Sequence, residues 1–134
     1  MTATDLDQPF TETETQLEVE RLQGAWVTVA GRRPVQLFIA GRHFTARFLD
    51  GELYMGSFHL FVDEEPREMV MWIEEGPERH RGRIAHCIYF FENDTLRWCA
   101  TDPGSNERLT EFPPVTDAHH VCLVLQRERL LPPK

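Results

Sequence analysis

From Gly24 onward the chain alternates apolar and polar residues with a period of two, and turn residues break the pattern every ~8–12 positions. Trp26 and Thr28 oppose Val27 and Val29; Val35, Leu37 and Ile39 share one side of the next run. Phe44, Ala46 and Phe48 then alternate with His43, Thr45 and Arg47. Tyr54, Gly56, Phe58 and Leu60 share a face, as do Met69, Met71 and Ile73, and later Val121, Leu123 and Leu125. Two further β-prone runs cover Ile84 to Phe91 and Thr95 to Ala100. Asp50-Gly51 and Asn93-Asp94 read as hairpin turns, and Gly56 inside a strand reads as a bulge. The spacing predicts an all-β fold, a small antiparallel up-and-down barrel of about eight strands. Closure would also remove the aggregation-prone edges that so apolar a flat sheet would expose.

One helix precedes the strands. Thr15 and Glu18 form a capping box, which predicts a short helix from Gln16 to Leu22 with Leu17 and Leu22 turned inward, ended by Gly24. The Thr- and acid-rich residues 1–15 read as a flexible acidic tail, 16–128 as the barrel domain and 129–134 as a C-terminal tail. A length of 134 residues, with 41% hydrophobic, suits one domain with its own core.

The formal charge of −8, from 22 acidic and 14 basic residues, opposes binding to nucleic-acid backbones or anionic membranes. The polar N-terminal stretch lacks a secretory apolar core, and Cys87, Cys99 and Cys122 are an odd set without metal-type spacing. Both features predict a cytoplasmic setting.

The segment Leu22-Gln-Gly-Ala-Trp-Val-Thr-Val resembles the Leu-x-Gly-x-Trp-x-x-Val opening of lipocalin-like domains. Gly56-Ser-Phe-His-Leu, Pro66, Glu75-Gly-Pro, Ile88-Tyr89, Asp94-Thr-Leu-Arg-Trp-Cys, Pro103-Gly, Arg108 and Thr110-Glu-Phe follow in the order of the planctomycete-type lipocalin-like domain family, a bacterial group of uncharacterised role. The resemblance spans about Leu22 to Arg127. It departs at Leu109, where the family has Pro, and in a shorter loop between the first two strands. It implies the barrel and a structural role for Gly24 and Trp26. The Trp would close the narrow end against a basic side chain from a late strand, and Arg127 stands in the matching position.

Candidate chemistry is sparse. The six His do not combine as ligands: His119 and His120 are adjacent and point to opposite faces, and a two-residue Asp50-Gly51 turn would set Arg42, not His43, across from His59. No metal and no cofactor are implied. The Asn93-Asp94 turn pairs Ile88 with Cys99 and leaves Cys87 on the other face, so free thiols are expected. Arg32 and Arg33, with the arginines of 79–83, either crown one mouth as an anion site or neutralise an acidic surface.

The candidate ligand-binding lining is Phe44, Phe48, Tyr54, Phe58, Met69, Met71, Ile88 and Leu96, around an interior that either packs shut or holds one small ligand. The leading expectation is a binding module for a small apolar or amphipathic molecule. A small barrel enzyme of cyclase or isomerase type and a protein-interaction domain are the alternatives.

Overall fold

The computed structural model describes the backbone of residues 3–128 and the side chains of residues 13–128. A helix, α1 (Ala3–Leu22), leads into eight strands: β1 (Gly24–Ala30), β2 (Val35–Ala40), β3 (His43–Phe48), β4 (Leu53–Phe61), β5 (Arg67–Glu75), β6 (Ile84–Glu92), β7 (Thr95–Ala100) and β8 (Val121–Arg127). Each strand pairs antiparallel with the next, and β8 pairs back with β1, giving a closed up-and-down barrel. The eight-strand expectation holds. The helix starts at Ala3, not Gln16, so Thr15 and Glu18 lie inside it and their capping potential does not set its start. The expected tail at 129–134 lies outside the described residues.

Period-two burial follows from the pleat, which sends alternate side chains to the axis. Val35, Leu37 and Ile39 are buried on β2, Phe44, Ala46 and Phe48 on β3, and Met69, Met71 and Ile73 on β5. Gly56 carries the expected bulge: the β4–β5 register shifts between Met55 and Gly56. A Cβ there would sit 1.8 Å from the Trp72 carbonyl oxygen, so only glycine admits that approach.

Two turns show how local chemistry sets register. Asn93-Asp94 is a two-residue turn with Asn93 at φ 55°, and it pairs Glu92 with Thr95 and Ile88 with Cys99, as expected. The β3–β4 turn instead has three residues, Leu49-Asp50-Gly51. Phe48 N donates to Glu52 O at 2.9 Å, and Gly51 takes φ 102°. The Asp50 carboxylate accepts from Glu52 N at 2.9 Å and holds that loop. His43 therefore faces Ser57, and Arg42 lies beside Phe58 rather than across from His59.

The helix plugs one end. Leu22, Val19 and Trp26 are buried there, and Trp26 Nε1 donates to Leu22 O at 2.9 Å. Trp26 pairs in register with Arg127, whose guanidinium lies 4.3 Å from the indole centroid. The same guanidinium donates to the last carbonyls of the helix segment, Arg21 O at 2.7 Å and Gln23 O. Buried Glu18 adds a polar tie: it pairs with Arg67 and accepts from the Tyr89 hydroxyl at 3.3 Å. Leu17, in contrast to its expected inward turn, is 60% exposed.

Candidate functional site at the open end

At the opposite end the turns after β1, β3, β5 and β7 meet. Tyr89, Leu96, Leu123 and Leu125 are fully buried in the barrel interior. Near the open end there is a cavity of about 80 Å³. A water occupies ~30 Å³ of liquid and drug-sized pockets exceed ~300 Å³, so this space suits a few heavy atoms or the head of a longer molecule. A wider depression of about 1030 Å³ lies outside the barrel between α1 and β4, but it is an open groove among exposed Leu17, Arg42, His59 and Phe61.

Four of the expected lining residues, Phe44, Phe48, Tyr54 and Met71, meet at the cavity. Phe58, Met69 and Leu96 are buried in the core but away from it. Ile88 is a correction. It points away from the axis and forms a separate cluster with Cys99 and Cys122 under Leu109 and Phe112 of the long β7–β8 loop. Every residue from Cys87 to Phe91 is apolar or aromatic, so alternation alone could not choose its face. Its pairing with Cys99 could have, since Cys99 and inward Leu96 lie on opposite faces of β7.

The polar part of the wall comes from loops. The Tyr54 ring stacks on His80 with centroids 5.8 Å apart, and its hydroxyl shares a 2.7 Å hydrogen bond with His80 Nδ1. Burial, aided by the Glu52 charge, raises the Tyr54 pKa. Burial and the nearby Arg79 charge lower that of His80, so both are neutral at pH 7. The Arg33 guanidinium lies 3.8 Å from the Phe48 ring centroid and bonds Asp50 at 3.1 Å and Glu52. Glu52 also accepts from Arg79 at 2.7 Å, and that bond, joined by Arg33, lowers its pKa. Trp98, on the inner wall, has a buried indole N–H with the weakly accepting Cys87 thiol beside it and no hydrogen-bond partner among the described residues.

The arginines do gather at this end, yet each already has an acceptor within the chain. Arg33 and Arg79 share Glu52; Arg32 donates to Thr116 O at 3.3 Å, Arg81 to Gly76 O at 3.3 Å, and Arg83 to Arg79 O at 3.0 Å. They brace the loops, which favours the neutralising reading over the anion site. His80 went unseen as a wall residue because its loop position is set by Gly76-Pro77 geometry rather than by periodicity.

All three cysteines are free and buried. Cys99 and Cys122 stand opposite each other on β7 and β8, and burial raises both thiol pKa values. Among the described residues no three His, Cys, Asp or Glu side chains are grouped to hold a metal ion, and no helix is long and apolar enough to cross a membrane. No protein-family model, curated protein or solved structure matches the chain.

Proposed function

We propose that the barrel is a binding module that takes one small apolar or amphipathic molecule at its open end. The carrying observation is the location of the cavity: it opens at the end away from the helix plug, with apolar walls and a neutral polar pair at its rim. Cytoplasmic residence, which three unpaired thiols favour, and membership of the planctomycete-type lipocalin-like family, whose motif order the chain follows, belong to the same proposal.

Size sets the assay. A ligand of about five heavy atoms is limited to roughly −7.5 kcal/mol, a Kd of a few micromolar at best, so screening needs millimolar concentrations. Crystals pressurised with xenon should show an atom beside Met71 and Ile73, and Val121→Phe, which fills the space from β8, should remove it. Xenon absent from the wild-type cavity would refute the reading.

One observation favours a second reading, a small barrel enzyme of cyclase or isomerase type. Tyr54 and His80 form a neutral proton-holding pair 2.7 Å apart at the wall of an apolar cavity. Such a pair should speed exchange of the α-protons of 2-butanone in deuterated buffer. A rate equal to buffer alone, with the ketone bound, would exclude it for that substrate class.

A further inference from the structure

The polar groups at the cavity say what kind of head the ligand carries. Resting on the binding reading above, we infer that the site selects a neutral, oxygen-bearing small molecule of the alcohol or ketone class, and discriminates against carboxylates of the same shape.

Charge balance is the first argument. The charged side chains on the cavity wall are Arg33 and Asp102, one of each sign. Arg33 is already held by Asp50 and Glu52, and Arg79 next to it is held by Glu52. The two guanidiniums nearest the Tyr54–His80 pair are thus already matched by carboxylates. A carboxylate entering here would lose its hydration without gaining a free partner, which is the costly way to bury a charge.

The second argument is the set of neutral groups that remain. Tyr54 is 6% exposed, with its ring in the wall and its hydroxyl on His80. The hydroxyl also reaches Glu52 at 3.4 Å, so the phenol oxygen and the second nitrogen of the neutral imidazole are the uncharged polar groups that a ligand head would meet. Around them Phe44, Phe48, Met71 and Ile73 supply a surface that prefers a hydrocarbon body.

The chain carries its own reporters. Of the four methionines, Met71 lines the cavity, Met69 is buried in the core away from it, and Met55 lies on the outer face. Methyl-labelled full-length protein at about pH 7 should show the Met71 signal shifting saturably with 1-butanol and 2-butanone while Met55 stays put. Butyrate should bind at least about ten-fold more weakly. Tyr54→Phe should weaken butanol about five-fold while leaving xenon binding unchanged, since xenon has no head to recognise. Butyrate binding as well as butanol, or Tyr54→Phe leaving butanol affinity unchanged, would overturn the inference and leave the cavity reading standing. If neither xenon nor any organic probe moves Met71, the cavity reading falls and the inference with it.

Discussion

Replacing Arg127 by Met tests whether the helix end of the barrel is held as the geometry indicates. The substitution keeps a long apolar stem against Trp26 but removes the guanidinium. Three interactions go with it: the hydrogen bond to Arg21 O at 2.7 Å, the one to Gln23 O, and the contact 4.3 Å from the Trp26 ring. Charge-assisted hydrogen bonds are worth about 1.5–3 kcal/mol when shielded. Arg127 is exposed, so solvent screens them and about 1 kcal/mol each is the appropriate figure. An exposed cation–π contact adds ~0.5–1 kcal/mol. The loss sums to about 2.5–3 kcal/mol, and for a chain of this size that lowers Tm by about 10 °C. Urea and thermal unfolding followed by circular dichroism should show it. Adding Trp26→Phe should cost less in the Arg127→Met background than in the wild type, because the ring and the cation share one interaction. A single-variant loss under about 0.5 kcal/mol, or strict additivity of the pair, would refute the reasoning.

Further outcomes follow from the same geometry. Gly56→Ala drives a methyl to 1.8 Å from the Trp72 carbonyl and should destabilise by on the order of 4 kcal/mol, whereas Gly41→Ala, in open space at φ 63°, should lose about 1 kcal/mol; equal urea midpoints would contradict this. Glu18→Ala orphans the buried Tyr89 hydroxyl and should cost about 2–3 kcal/mol in chemical denaturation, and adding Tyr89→Phe should recover about 1 kcal/mol of it. The two perturbed histidines pull stability in opposite directions with pH. His80 has a lowered folded pKa, so the unfolded chain protonates first and stability falls as pH drops below about 6.5 through the folded value. At His120 burial opposes the charge, but bonds to Glu107 and Asp117 outweigh it and raise the pKa, so its contribution is complete below about 6.5 and is lost as pH rises through the folded value. His80→Gln should flatten the stability profile toward about pH 5.5 and His120→Gln toward about pH 8; unchanged slopes in urea titrations would show that neither group is linked to folding.

Strand positions were readable because period-two patterning and barrel closure reinforce each other. A residue that faces the axis has to be apolar, and the core residues of β2, β3, β5 and β8 obey that rule. The pattern failed where both faces are apolar. Ile88 sits outward yet is buried, because the long β7–β8 loop folds Leu109 and Phe112 over it, and no local signal announces that cover. Register was readable at Asn93-Asp94 but not at Asp50-Gly51. In the second turn the Asp50 side chain bonds Glu52 N and Arg33, and this stabilises a three-residue loop over the two-residue one that the dipeptide suggests.

The candidate site divides along the same line. Its apolar wall, Phe44, Phe48, Tyr54 and Met71, comes from strands and was legible; of its polar rim the gathering of arginines at one mouth was legible, but the Glu52 bridge and the Tyr54–His80 contact were not. Arg33 and Arg79 lie far apart in sequence and reach the same carboxylate because Glu52, the residue just before β4, stands within reach of both their loops. Their convergence could suggest an anion site, but the carboxylate that bridges them already provides what an anion would offer. The Glu52 bridge thus leaves the neutral Tyr54–His80 pair as the group best able to recognise a ligand head. Selectivity at this rim therefore depends on Glu52 as much as on the residues that touch the cavity: with Glu52→Gln, Arg79 loses its carboxylate and Arg33 keeps only Asp50, and butyrate should gain on butanol relative to the wild type.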